Sequence, residues 1–224
     1  MRLAAIFLLL GVASGAEPMS IEGWTLRVNP RLTAEQPEAT AQAVDLLRRQ
    51  LAEINKIIPA PALGHLHQVP LWFSPVYPDG RAPRAEYHPG ADWLKENGRD
   101  PVMAKGIEFT NIAIFEKECR RMPFFALHEL AHAYHDRVLG FEHTEILAAY
   151  EQAQAGGVYN DVERWSGLKM GRDRAYALSN AKEYFAETTE AYFGRNDFQP
   201  FDRAELLRLD PTMHMLLERL WNAK

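Results

Sequence analysis

The sequence predicts an α+β fold, in which short N-terminal strands and one helix precede a mostly helical C-terminal half. Apolar residues alternate with polar ones over Trp24–Val28, and further short apolar runs lie at Val69–Val76 and Ile107–Phe115. Such patterns are typical of strands. From Phe124 onward the pattern is helical instead. Because the strands come first and the helices afterwards, an α+β domain is favoured over an alternating, doubly wound sheet.

The long helix of the N-terminal half is predicted over Pro37–Ile58. Its apolar positions recur at helical spacing, and Pro59 and Pro61 end it because proline cannot continue a helix. After the second strand, a segment rich in proline and glycine runs from Tyr77 to Trp93. Loops of this length are uncommon inside a compact domain and are often functional. We therefore expect this segment to form a functional surface.

Composition and charge exclude several classes of protein. The 224 residues are 47% hydrophobic and 25% charged, as in an ordinary globular domain. A net charge of −5 without a basic block argues against a nucleic-acid partner. The single cysteine, Cys119, can form neither an internal disulfide nor a paired-cysteine zinc site. We expect a monomer.

The N-terminus has the features of a secretory signal peptide over residues 1–16. Arg2 provides a positive start, Leu3–Val12 is apolar, and small residues continue to Ala16. About 10 apolar residues are too few to cross a bilayer, which takes roughly 20. The prediction is one mature domain over residues 17–224, without a membrane span and exported to the periplasm or an extracellular space.

The motif with the clearest chemistry is His128-Glu129-Leu130-Ala131-His132, an HExxH sequence. On a helix, His128 and His132 lie one turn apart on the same face, where both can bind one Zn²⁺. Glu129 then flanks the metal and is placed to take a proton from zinc-bound water. The helix is predicted independently, because Pro123 suits its first turn and Gly140 its end.

A third protein ligand would complete the zinc site. The metzincin extension needs glycine at position 135 and histidine at position 138, where the sequence has His135 and Val138. That class is excluded. His135 lies too far along the helix from His128 to join the same ion, and we expect it at the surface or around the ligands. His143 is a weak candidate.

A predicted helix over Asn180–Gly194 offers a better third ligand. Glu183, Glu187 and Glu190 share one face at i, i+4 and i+7. A stripe of like charges is unfavourable unless a cation lies against it. A solvated acidic face is the alternative, but two candidate histidine ligands already call for a carboxylate, which favours Glu183. Glu187, one turn later, is then placed to accept the outer N–H of a ligand histidine.

These two motifs resemble the gluzincin peptidases of the anthrax lethal factor type, in particular the catalytic domain and its small secreted relatives. The second motif has the order tyrosine, three residues, asparagine, two residues and Glu-aromatic-Phe-Ala-Glu, which here is Tyr176…Asn180…Glu183-Tyr184-Phe185-Ala186-Glu187. The resemblance covers roughly Pro123–Phe193. It implies a zincin-like fold with Glu183 as third zinc ligand, Tyr176 as stabiliser of the tetrahedral oxyanion and Glu187 as support for the ligands.

The remaining candidates have lesser roles. Tyr87 and His88, in the long loop, are candidates to line the cleft or to bind substrate. A buried, unreactive Cys119 is favoured over a thiol that masks the metal. Asp136 is expected to pair with Arg137 or a lysine rather than with the metal.

The sequence therefore predicts an exported zinc metallopeptidase with one Zn²⁺ per chain and a peptide or protein substrate. The catalytic residues are Glu129 and Tyr176, and the metal ligands are His128, His132 and Glu183. One alternative is a catalytically silent zinc-binding or interaction protein with the same fold. The other is a metal-free helical domain with a chance HExxH, in which Glu183 would be exposed and unpaired.

Overall fold

The structure is a computed structural model that describes residues 18–222. The predicted signal peptide lies outside this range. Helix accounts for 56% and strand for 13%, so the fold is mixed α/β, with a small N-terminal sheet, and is consistent with the α+β class. Among the described helices, none combines the length and apolar character needed to cross a membrane.

Seven strands form two sheets within residues 18–222: β1 (Pro18–Ile21), β2 (Trp24–Val28), β3 (Leu71–Phe73), β4 (Ala85–Tyr87), β5 (Ile107–Phe109), β6 (Val162–Trp165) and β7 (Met170–Asp173). The first sheet has the order β1-β2-β3-β5-β4, with β2, β3 and β5 parallel and the two outer strands antiparallel to their neighbours. β6 and β7 form a separate antiparallel hairpin. β4 is therefore an edge strand.

The two faces of the first sheet have different surroundings. Leu71 of β3 pairs with Ile107 of β5, and Trp72 pairs with Glu108. Because successive side chains in a strand point to opposite faces, Leu71 and Ile107 join the main core, whereas Trp72 and Glu108 face residues 74–106, which connect β3 to β5.

In the described part of the chain, ten α-helices surround the sheet or extend from it: α1 (Pro30–Glu35), α2 (Pro37–Ile57), α3 (Ala60–Leu66), α4 (Ala91–Glu96), α5 (Phe115–Arg121), α6 (Phe125–Tyr134), α7 (Thr144–Gly156), α8 (Ala181–Phe193), α9 (Arg203–Leu209) and α10 (Pro211–Trp221). A single large apolar cluster joins the two halves of the chain. α6 and α8 pack against each other within it.

The predicted helices are confirmed with small changes at their ends. The helix predicted over Pro37–Ile58 is α2, which ends at Ile57. The helix that carries HExxH is α6, and it continues as a π-helical turn over His135–Leu139. α8 begins after Asn180, whose side chain accepts hydrogen bonds from the N–H groups of Lys182 and Glu183 at 2.9 and 3.0 Å.

Two predictions about strands were wrong. The strand predicted over Ile107–Phe115 ends at Phe109, because Asn111 turns the chain into a 3₁₀ helix and Phe115 begins α5. The C-terminal half is mostly helical, as predicted, but the helical pattern assigned to the chain from Phe124 onward fails at the β6–β7 hairpin. β7 is exposed along its whole length, so it lacks the apolar alternation that marks a half-buried strand.

The long segment after β3 also contains structure that the sequence pattern did not indicate. β4 lies within it, and α4 begins within it. β4 has three residues, which is too short to show a period, and it exists because it pairs with β5. This pairing brings the segment to the side of α6.

Candidate metal centre

α6 and α8 bring three ligand atoms to one point. Nε2 of His128 lies 3.1 Å from Nε2 of His132, and Oε2 of Glu183 lies 3.1 Å from the first and 3.3 Å from the second. The three side chains are 6%, 12% and 18% exposed, so the group opens to solvent on one side only. The alternative of an exposed, unpaired Glu183 is wrong.

The charges around this point favour a cation. Burial alone would lower the pKa of His128, but the carboxylates of Glu183 and Glu190 outweigh burial and raise that pKa well above its usual range. Burial would raise the pKa of Glu183, but His128 and His132 outweigh it and hold that pKa well below its usual range. The carboxylates of Glu183 and Glu190 thus stabilise positive charge at the position of His128.

The donor set fits zinc in chemistry and in size. Two histidine nitrogens and one carboxylate oxygen are common ligands of catalytic zinc, and leave a fourth position open. Metal–ligand bonds of about 2.0–2.1 Å in tetrahedral geometry separate the ligand atoms by about 3.4 Å. The separations of 3.1–3.3 Å found here are close to that value. His128, His132 and Glu183 therefore form a group that could hold a metal ion.

The outer side of His128 is held by Glu190. Oε1 of Glu190 lies 2.8 Å from Nδ1 of the ring, whereas Oε1 of Glu187 lies 3.7 Å away. Glu187 instead accepts a hydrogen bond from Nδ2 of Asn196 at 3.1 Å. The expectation that Glu187 accepts the ring N–H is corrected, because α8 turns Glu190 toward the ring. A proton on Nδ1 leaves the lone pair of Nε2 facing the other two ligand atoms.

Glu129 is buried beside the ligand group and belongs to neither cluster of potential ligands found among residues 18–222. Its Oε2 accepts a hydrogen bond of 2.7 Å from the main-chain N–H of Tyr87 on β4. Burial raises the pKa of Glu129, and the neighbouring His128 and His132 partly offset this rise. A carboxylate with a raised pKa inside a cleft is suited to accept a proton and pass it on.

Tyr176 lies in a 3₁₀ turn just before α8 and is 49% exposed. Its ring lines the same cleft as the three ligands and Glu129. Burial and the charge of Glu183 raise the pKa of the phenol, which keeps it protonated and able to donate. Because the side chain is half-exposed and lines the cleft, the phenol is placed to bind a group there.

The cleft has a volume of about 790 Å³. β4 forms one wall, with Arg84 just before it, and residues of the β6–β7 hairpin form another, including Arg164 and Asp173. Met122 and Phe125 contribute an apolar section near the start of α6. The space suits an extended ligand of several residues rather than a small ion alone.

His135 and His143 lie outside the ligand group. His135 was expected at the surface or around the ligands, but it is fully buried between Phe141 and Phe185. The face of α6 that carries His128 and His132 continues into the π-helical turn, where α8 covers His135. His143 precedes α7 and belongs to neither cluster of potential ligands in residues 18–222.

The other candidates divide between the cleft and the core. Tyr87 lines the cleft, whereas His88 is buried against Glu108, with Nε2 and Oε2 3.0 Å apart. Cys119 is partly buried and accepts a hydrogen bond from Gln50, and burial raises the pKa of its thiol. Asp136 pairs with a lysine, as predicted, and the residue is Lys105, which lies 31 positions earlier.

Two contacts of the site were missed by sequence reasoning. Glu190 belongs to the acidic stripe that was recognised, but the period alone does not say which carboxylate meets His128. The main-chain N–H of Tyr87 has no sequence signal at all, because every residue except proline carries one.

Comparison with family models, curated proteins and solved structures finds no match for this chain. The resemblance to the lethal factor type therefore stays a prediction.

Proposed function

We propose that the protein is an exported, zinc-dependent peptidase with a zincin-like fold. The observation that carries this proposal is the convergence of His128, His132 and Glu183, with the non-ligand carboxylate of Glu129 in the same cleft. A metal site that serves structure alone does not require a buried, non-ligand carboxylate next to the metal ligands.

Each residue has a distinct part in peptide hydrolysis. Zinc, when bound by His128, His132 and Glu183, supplies Lewis acidity. Glu129 takes the proton of the attacking water and delivers it to the leaving amine. The phenol of Tyr176 donates a hydrogen bond to the developing oxyanion, a contribution of about 3 kcal/mol for comparable donors.

A peptide substrate is supported by the free edge of β4. In the antiparallel pairing with β5, Glu86 is opposite Glu108, and the flanking residues Arg84 and His88 bond to the β5 side. Main-chain groups alternate in direction along such a strand, so those of Ala85 and Tyr87 point away from β5. The Tyr87 N–H is bonded to Glu129, which leaves the Ala85 groups and the Tyr87 carbonyl for a peptide. An extended peptide can add to this edge by main-chain hydrogen bonds.

The test combines metal analysis with peptide cleavage. We expect about one zinc per wild-type chain, much weaker zinc retention by Glu183→Ala, and full retention by Glu129→Gln. On a peptide library, Glu129→Gln should lose about 10²–10⁴-fold in rate, the usual contribution of a general base. Glu151→Gln, an exposed change on α7, serves as the matched control.

The outcomes separate the alternatives. Absence of zinc from the wild type after reconstitution would overturn the metal site. Zinc without cleavage of any peptide would favour the silent zinc-binding protein. Cleavage by Glu129→Gln at the wild-type rate would contradict the proposed role of the carboxylate, and equal zinc in Glu183→Ala would move the third ligand elsewhere.

A further inference from the structure

Tyr87 contacts the α6 segment at two points. Its main-chain N–H donates to Oε2 of Glu129 at 2.7 Å, and its phenol donates to Oδ2 of Asp136 at 2.6 Å. Glu129 lies within α6, and Asp136 lies in the π-helical turn that continues it. One residue of the edge strand thus bonds to two residues of the same helical segment that are seven positions apart.

Asp136 is held firmly at this contact. Besides the phenol of Tyr87, Oδ2 of Asp136 accepts a hydrogen bond from Nζ of Lys105 at 2.5 Å. The Asp136 side chain is 13% exposed, whereas that of Lys105 is 51% exposed, so the carboxylate is largely buried and the ammonium group reaches solvent. Lys105 is itself joined to β4, because its N–H donates to the carbonyl of His88 at 2.7 Å. The pair therefore connects β4 and the turn before β5 to the end of the helical segment.

The anchored phenol matters because β4 is short. Three residues pair with β5 on one side, and the other side of the strand faces the cleft. Main-chain pairing on a single side leaves an edge strand free to shift. The Tyr87–Asp136 bond supplies a second attachment and keeps the Tyr87 N–H directed at Glu129.

The Glu129 carboxylate is oriented by one hydrogen bond. Within the described residues, the Tyr87 N–H is the one group that donates a hydrogen bond to this carboxylate. The bond occupies Oε2 and leaves Oε1 as the oxygen available to a ligand. Because a general base must lie within hydrogen-bond reach of the proton that it takes, its orientation depends on this single donor.

We propose that Tyr87 is a positioning residue: its phenol, fixed by Asp136 and Lys105, holds the β4 amide that orients the Glu129 carboxylate. The catalytic consequence rests on the proposed function, whereas the anchoring of the amide does not. Loss of the phenol should loosen the amide bond without removing a metal ligand.

The experiment compares Tyr87→Phe with Tyr134→Phe. Tyr134 lies on α6 and donates a buried hydrogen bond of 3.0 Å to the carbonyl of Leu220, away from the cleft. Both variants lose one phenolic hydrogen bond attached to the same helical segment, and only the first loses the anchor of β4.

Two readouts are expected to change in Tyr87→Phe and to stay unchanged in Tyr134→Phe. In the NMR spectrum, the amide proton of residue 87 should shift toward its position in Glu129→Ala and exchange about tenfold faster, as expected for a weakened hydrogen bond. With zinc bound, kcat should fall about tenfold while KM stays within about twofold, because orientation rather than binding is lost. Zinc content should equal that of the wild type.

Several results would overturn the proposal. An unchanged amide in Tyr87→Phe would show that the phenol does not anchor the bond, and a changed amide with unchanged kcat would show that the bond does not orient the base. Equal effects in Tyr134→Phe would indicate general destabilisation. If the wild type cleaves no peptide, the proposed function fails, and the amide readout alone decides the anchoring. Should Tyr87→Phe not fold, Asp136→Asn provides the same comparison.

Discussion

Two buried polar clusters use the same residue types and differ in how their charges are paired. The closed cluster lies on one face of the sheet and consists of Tyr77, His88, Arg99 and Glu108. The open cluster lies between α6 and α8 and consists of His128, His132, Glu183 and Glu190. In the closed cluster, both oxygens of Glu108 are bonded to the Arg99 guanidinium, at 2.5 and 3.1 Å.

The remaining contacts of the closed cluster are also with protein groups. His88 lies 3.0 Å from Glu108, and the Tyr77 phenol donates to Glu86 at 2.9 Å, with Glu108 3.3 Å away. The Arg99 guanidinium also lies over the Tyr77 ring, 4.0 Å from its centroid. Every charge thus has a protein partner, as expected of a buried group that serves structure.

Within residues 18–222, Glu183 and Glu190 of the open cluster are paired with the rings of His128 and His132 and with no arginine or lysine. Arg121, which lines the same cleft, is engaged by Glu118 and Asp197. The comparison indicates that composition does not distinguish a structural cluster from a ligand site. What distinguishes them is whether the protein itself supplies the opposing charge.

The largest stability effect is expected in the closed cluster. Glu108→Gln leaves Arg99 without its ionic partner, and breaking a buried pair in this way costs about 3–5 kcal/mol in the free energy of unfolding. Denaturant unfolding of the metal-free protein measures it. Glu116→Gln, which removes an exposed pair with Arg120, is the control and should cost about 0–1 kcal/mol.

Low pH should remove the difference in unfolding free energy between the wild type and Glu108→Gln. Burial would raise the pKa of Glu108, but His88, Ser74 and Arg99 outweigh it and hold that pKa below its usual value. The ionised carboxylate therefore contributes stability above the unfolded-state pKa, and this stability is lost as the pH falls through the folded-state pKa. Zinc content should not change in Glu108→Gln. A loss of zinc equal to that of Glu183→Ala would contradict the division into two clusters.

An intermediate effect is expected behind His128. Glu190→Gln removes the charge that faces Nδ1, and loss of such a partner typically weakens metal affinity by about 10–100-fold. Glu187→Gln is the matched control on the same helix face, and its effect should stay below about tenfold because its oxygen lies 3.7 Å from Nδ1. Competition with a chromophoric chelator measures both. A larger effect in Glu187→Gln would support the expectation from the sequence that Glu187, and not Glu190, accepts the outer N–H of His128.

A pH-dependent effect is expected at His135, a buried ring with no partner for either nitrogen in the described residues. Burial, and then the positive charges of His132, His143 and Lys182, lower its pKa to about 3. Its contribution to stability is complete above pH 6.5. Below that pH, His135 binds a proton in the unfolded chain but stays neutral in the folded protein. The contribution of His135 to the free energy of unfolding therefore falls by up to about 1.4 kcal/mol per pH unit.

His135→Leu should therefore lose part of the acid dependence of the unfolding free energy, measured by denaturant titration between pH 4 and 7. Phe141→Leu alters the packing around the same ring without removing a titrating group, and should keep the wild-type slope. Equal slopes in the wild type and His135→Leu would show that the ring is not held neutral.

Sequence reasoning was most successful where a period within one element carries the information. α6 and α8 were predicted because capping residues and apolar spacing agree, and the spacing of His128 and His132 brings their Nε2 atoms within 3.1 Å. Prediction from the sequence failed at β4 and at the β6–β7 hairpin. These strands depend on a pairing partner or on exposed residues, neither of which leaves a local pattern.

The sequence therefore determines which residues can share a helix face, since i, i+4 spacing is a property of the backbone itself. It places two histidines on one face of α6 and three glutamates on one face of α8. The tertiary structure decides which glutamate meets which side of His128, that a strand amide reaches Glu129, and that Arg99 neutralises Glu108. Those contacts join residues 9 to 62 positions apart. The packing of many side chains sets their distances, and no short segment contains that information.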